Sequence, residues 1–170
     1  NISFIDNKCD SLYGGGIGVT FSGIECLVFD GCSFIENKAK QDKSKSRSFI
    51  NGTSYYNGDG GGIQLGYSCS FCDFDVRFEF CNFSNNEADR HGGAVALQTL
   101  RTVSIVNCSF VGNVANCMQQ KKSLLTSDYF DLKKYGRGGA IYINPSFVND
   151  CKGNSSFMLS VEIENCSFVK

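Results

Sequence analysis

The sequence repeats itself, and the repeat limits what the chain can fold into. Phe-x-x-Asn occurs at Phe4/Asn7, Phe34/Asn37, Phe83/Asn86 and Phe110/Asn113, and a fifth copy opens at Phe168. Two residues before the Phe stands Cys32, Cys81, Cys108 or Cys166, with Ile2 in the first copy. Two residues after the Asn stands Ala39, Ala88 or Ala115, with Cys9 in the first copy. A second motif alternates with the first: Gly14-Gly15-Gly16-Ile17, Gly60-Gly61-Gly62-Ile63, Gly92-Gly93-Ala94-Val95 and Gly138-Gly139-Ala140-Ile141. A short alternating run precedes the later Phe motifs, at Leu27/Phe29, Val76/Phe78, Val103/Ile105 and Val161/Ile163.

Self-similarity at a fixed period is the mark of a solenoid. The shortest interval, Phe83 to Phe110, is 27 residues and holds three short period-two stretches without helical periodicity. That predicts an all-β chain, a parallel β-helix of about four coils with each strand pairing the coils above and below. Phe34, Phe83, Phe110 and Phe168 then stack inward with the Val/Ile positions. The Gly pairs turn corners with positive φ. Asn37, Asn86 and Asn113, with Asn7, suit left-handed turn geometry and amide bonding from coil to coil. The run from Cys72 to Phe80 reads as the cleanest strand, with its apolar residues on one face and Asp73, Asp75, Glu79 and Arg77 on the other.

Alternating Gly-Gly-Ala-[Ile/Leu/Val] and Phe-x-x-Asn resembles the repeats of chlamydial polymorphic outer membrane proteins and of similar surface proteins in some protists. The resemblance covers all four coils but not the long insertions. It implies a right-handed β-helix displayed outside the cell, often adhesive and without known catalysis.

Insertions are expected at 38–59, 116–137 and 144–156, within a single β-helix segment spanning 1–170. The first two are basic. Residues 38–59 hold five cations (Lys38, Lys40, Lys43, Lys45, Arg47) against Asp42 and Asp59, giving +3. Residues 116–137 hold Lys121, Lys122, Lys133, Lys134 and Arg137 against Asp128 and Asp131, again +3. The formal net charge is −1, so the rest carries −7. Such loops either stay solvated or grip acidic bodies of neighbouring subunits or anionic glycans. Six Asn-x-Ser/Thr sequons occur, at Asn1, Asn51, Asn82, Asn107, Asn154 and Asn165. The last five are candidate glycosylation sites in an exported protein, with Asn107 and Asn165 sharing a column.

Ten cysteines in 170 residues point to an oxidising compartment. Cys32, Cys81, Cys108 and Cys166 are repeat marks and read as an inward column of small apolar side chains. Cys9, Cys26, Cys69, Cys72, Cys117 and Cys151 are the disulfide candidates, with Cys117–Cys151 the favoured pair. Cys69-x-x-Cys72 has no second Cys or His pair for zinc, and the only histidine, His91, follows the repeat. Neither metal nor cofactor is expected.

The enzymatic alternative is a glycan-binding or polysaccharide-cleaving β-helix, which needs clustered carboxylates. Asp30, Glu79 and Glu164 fall in one outward column, joined by Asp73, Asp75 and Glu162, but these also serve as ordinary solubilising residues. No phosphate loop or nucleophile elbow is present. The reading is a non-catalytic extracellular or cell-surface scaffold, structural or adhesive. Its expected partners are itself (end to end or within a longer β-helix), glycans, and cell-surface or matrix proteins. Near-zero net charge argues against nucleic acid. No apolar run approaches the roughly 20 residues of a membrane helix, so direct membrane insertion is not expected.

Overall fold

The computed structural model describes residues 2–9, 15–19, 26–40, 48–50, 53–55, 59–65, 75–98, 102–116, 138–144 and 160–170. Every regular element among them is a strand. One circuit of chain passes through four strands: Asp75–Glu79, Asn82–Ser84, Glu87–Ala88 and Val95–Gln98. Each pairs in parallel, in register, with its equivalents one coil away, building four sheets. This is the arrangement of a parallel β-helix.

The long-strand sheet stacks Cys26–Asp30, Asp75–Glu79, Thr102–Val106 and Ser160–Glu164. The phenylalanine sheet stacks Ser3–Ile5, Ser33–Ile35, Asn82–Ser84, Ser109–Val111 and Ser167–Val169. The alanine sheet stacks Lys8–Cys9, Lys38–Ala39, Glu87–Ala88 and Val114–Ala115. The glycine sheet, named for the Gly-Gly motifs that lead into it, stacks Ile17–Val19, Ile63–Leu65, Val95–Gln98 and Ile141–Asn144. The sequence predicts three stretches per coil. The fourth is the two-residue alanine strand, too short to show a period.

The inward columns follow the motifs. Phe4, Phe34, Phe83, Phe110 and Phe168 face one another in register. Their rings lie nearly parallel, with centroids 5.1, 4.8, 4.8 and 4.9 Å apart. The strand spacing of about 4.8 Å imposes this stack, since isolated rings prefer offset or edge contacts. Phe29 and Phe78 form a second stack at 5.0 Å, whose rings meet the first edge-on at Phe34 and Phe83. Val76, Val103, Ile105, Ile63, Leu65, Val95 and Leu97 fill the remaining core.

Corners are made by left-handed residues. Gly60, Gly92 and Gly138 have φ of 67°, 61° and 63°, as the Gly-Gly reading expects. At the Asn corner the expectation is corrected. The left-handed residue is the one before the Asn: Asp6, Glu36, Asn85 or Gly112. That residue reverses the chain, and the Asn behind it is left free to turn its amide inward. The third set of left-handed residues is Gly31, Phe80, Asn107 and Asn165, each just before a repeat Cys.

Two boundaries also move. Lys38–Ala39 still belongs to the alanine sheet, so the first insertion leaves the solenoid after that strand. Ile141–Asn144 belongs to the glycine sheet, and residues 145–159 lie outside the described residues. Within the first insertion, Ser48–Ile50 and Thr53–Tyr55 pair as an antiparallel hairpin.

Candidate functional site

Two polar ladders run up the inside of the solenoid, and both are consumed by the fold. The Asn37 amide donates to Asn86 Oδ1 (3.0 Å) and to the Phe4 carbonyl (2.9 Å). Its Oδ1 accepts from the backbone N–H of Asn7 (3.1 Å) and from the Asn7 amide (2.9 Å). Asn86 repeats the pattern with Asn113 and the Phe34 carbonyl. An amide has two donors and two acceptor sites, and at Asn37 all four are used.

The thiol ladder is similar. Cys32, Cys81 and Cys108 are buried, as the repeat reading expects. The Cys81 thiol lies 3.3 Å from the carbonyls of both Phe29 and Glu79, which share its single hydrogen, while Cys108 Sγ accepts the Cys81 backbone N–H at 3.4 Å. Cys108 and Cys166 stand in the same relation, again at 3.4 Å. The hydrogen bond to Cys108, and then burial, push the Cys81 thiol far above the ordinary range, so it is a poor nucleophile.

The remaining cysteines and sequons divide as follows. Cys9 and Cys26 are free thiols, half-buried and exposed respectively. Cys69, Cys72, Cys117 and Cys151, and with them the Cys117–Cys151 pair, lie outside the described residues. So do Asn1, Asn51 and Asn154. Asn107 and Asn165 are exposed at left-handed corners one coil apart, while Asn82 is half-buried in a strand of the phenylalanine sheet.

The outer face of the long-strand sheet carries the expected carboxylates. Register places Asp30 beside Glu79, then Val106, then Glu164, so an aliphatic residue interrupts the acidic column. Arg77 Nε pairs with Glu79 Oε1 at 2.8 Å. Thr102 donates to Asp75, and Ser104 donates to Glu162 at 3.3 Å. Asp73 lies outside the described residues.

At the end of this strand the sequence reading is wrong about one residue. Phe80 continues the alternation and is expected to face inward. Instead it takes φ of 51° and leaves 63% of its surface exposed. Its equivalents are Gly31, Asn107 and Asn165, the residue types that tolerate a left-handed backbone. The column was readable from the spacing to the repeat Cys, with Phe80 as its one misfit.

A buried polar corner precedes the Gly-Gly motifs, and sequence reasoning missed it. Asp59 and Gln64 are fully buried, yet neither the Asp59 carboxylate nor either end of the Gln64 amide has a hydrogen-bond partner. Arg90 Nη1, from the next coil, approaches Asp59 Oδ2 at 3.5 Å, an ion pair too long for a good hydrogen bond. Burial raises the Asp59 pKa to about 7, with Arg90 and the His91 backbone opposing. The His91 ring stacks on Tyr142 of the following coil, centroids 4.4 Å apart. The available signal was position: Asp59 and His91 each stand one residue before the first Gly of the motif. Among the described residues, no group of three or more His, Cys, Asp or Glu side chains could hold a metal ion.

Fold and ladders together define a repeat protein of the parallel β-helix class, each coil held to the next by stacked rings, amides and thiols. Residues 107–144 match the model of the Chlamydia polymorphic membrane protein repeat. The matched stretch contains Phe110/Asn113 with Cys108 and Gly138-Gly139-Ala140-Ile141, one copy of each motif. No curated protein and no solved structure matches the chain.

Proposed function

We propose that this chain is a non-catalytic scaffold exposed at the cell surface, whose outer faces make adhesive contacts with glycans or with surface and matrix proteins. The observation that carries this reading is the use of polar groups inside the coils. The buried amides and thiols of the repeat are spent on coil-to-coil bonds, as a rigid display element requires. Four outward carboxylates are also engaged: Asp75 by Thr102, Glu79 by Arg77, Glu162 by Ser104, and Glu87 by Lys38 at 3.6 Å. The match to a membrane-protein repeat supports display at the surface.

The reading extends to self-association. Each strand of the solenoid pairs through its main chain with its equivalent one coil away, and the same pairing takes another coil of the repeat, from the same polypeptide or from a second copy. In an exported setting, Asn165 carries a glycan on the outer corner.

Beads coated with the chain should bind glycan-bearing cells or immobilised matrix glycoproteins, with no product released from acidic polysaccharides. Cleavage that disappears on changing Asp75 and Glu79 to Ala would replace the scaffold reading with the glycan-cleaving one. Intact mass before and after glycosidase treatment tests the glycans.

A further inference from the structure

Phe80 breaks two rules at once. A phenylalanine in the left-handed region is strained, because its Cβ crowds the following carbonyl. A large ring left 63% exposed gains little from burial. The other residues of its column show that the corner needs neither feature: Gly31, Asn107 and Asn165 make the same turn. In its column Phe80 stands between Gly31, which offers no side chain, and Asn107, a small polar neighbour. The apolar burial open to the ring is therefore small, and a local rule broken with so little gain in packing points to a binding role.

The surface around it has a definite chemistry. Val28, on the same outer face, is 53% exposed. The outward positions of the long-strand sheet hold Asp30, Asp75, Glu79, Glu162 and Glu164 against Arg77 alone, a formal charge of −4. An exposed ring next to this face suits a Lys or Arg side chain: the ring face attracts the cation, Asp30, set beside Glu79 in the outward column, pairs with it, and the aliphatic stem packs on Val28.

The chain supplies such a segment. Residues 40–59 carry four cations against two carboxylates, +2, and residues 116–137 carry +3. The first leaves the solenoid after Ala39 and rejoins before Gly60, between the alanine and glycine sheets. The Phe80 corner lies between the long-strand and phenylalanine sheets, a whole sheet away in either direction around the coil. An insertion of about 20 residues can span that distance, and contact between molecules is told from contact within one by its dependence on concentration.

We propose that the Phe80 corner and the acidic face beside it are a docking surface for a Lys/Arg-rich insertion of a second copy of this chain. The contact is lateral, and it is independent of coil-on-coil stacking.

The test is sedimentation velocity of the whole chain at low and high salt, on wild type, Phe80→Gly and Phe80→Asn. Wild type should self-associate at low salt, and the association should be lost near 0.5 M salt, where screening shortens to a few ångströms. Both variants should associate about tenfold more weakly or worse, as expected for an aromatic anchor. Both should also melt about 2–4 °C higher, since they remove the left-handed strain. A synthetic peptide of residues 116–137 should compete with association of the wild type. A monomeric wild type at low salt, or variants that associate as well as wild type, would overturn the proposal. Association that strengthens with salt also overturns it, because that is the behaviour of an apolar contact. Binding of neutral oligosaccharide at Phe80 without self-association overturns it in favour of a glycan surface.

Discussion

The Asn37 amide donates to Asn86 Oδ1 at 3.0 Å while the Asn37 backbone N–H donates to the same oxygen at 3.1 Å. One buried oxygen thus joins two coils through both main chain and side chain. Replacing Asn86 by Ala removes the partner of one Asn37 amide hydrogen, of the Asn37 N–H and of the Phe34 carbonyl, while Asn113 Oδ1 keeps the backbone N–H of residue 86 and the Asn37 amide keeps the Phe4 carbonyl. Each unsatisfied buried group costs about 1–3 kcal/mol, so Asn86→Ala should lose at least ~3 kcal/mol in urea unfolding. Asn86→Asp should be worse, because its carboxylate faces Asn113 Oδ1. An Asn86→Ala protein as stable as wild type would show that the ladder is incidental.

The glycines differ in what they tolerate. A Cβ on Gly93 would lie 2.0 Å from the Gly139 carbonyl oxygen and 2.6 Å from the Val114 backbone. Neither can yield without separating coils, so Gly93→Ala should prevent a cooperative thermal transition. Gly112 is left-handed with φ of 62°, and its nearest neighbour is the Asn85 side-chain oxygen. A side chain can rotate away, and Asn accepts a left-handed backbone. Gly112→Asn should cost no more than about 1 kcal/mol.

Asp59 makes stability depend on pH in an unusual direction. Its folded pKa, about 7, lies above the 3.8 of an ordinary aspartate, so the folded state holds the proton more tightly. Between those values the native state binds more protons, and this group's contribution therefore falls as pH rises. The penalty is absent below about pH 4 and complete above about pH 7, amounting to a few kcal/mol. The difference in Tm between Asp59→Asn and wild type should grow in favour of the variant from pH 4 to 7, then level off. A flat difference would mean that Asp59 is ionised throughout.

Thiol reactivity should separate by burial. Cys26 is exposed, whereas Cys81 is buried with its thiol pushed up. Brief iodoacetamide treatment of the native chain, followed by peptide mapping, should label Cys26 and leave Cys32, Cys81 and Cys108 unlabelled until denaturant is added. Native-state labelling of Cys81 at the rate of Cys26 would contradict a closed core.

Much of the fold was legible because a parallel β-helix writes its geometry into a linear period. Equal spacing of Phe34, Phe83 and Phe110 from their partner Cys and Asn residues sets the register, since a one-residue slip would turn every ring outward. Phe80 was misread for a local reason. Alternation says which way a side chain points only while the strand lasts, and the strand ends at Glu79. The Asp59 corner was missed because its partners, Arg90, His91 and Tyr142, lie in later coils.

The sequence by itself determined the coil: its period, its inward columns and the glycines that turn it. These depend on neighbours at fixed spacing, and spacing is what a sequence records. Only the tertiary structure decided which polar groups are spent and which are left over. Asn37 has all four bonds made, Asp59 and Gln64 have none, and the Phe80 ring stands in solvent. Those outcomes depend on what the coils above and below place beside each residue, which no single repeat contains.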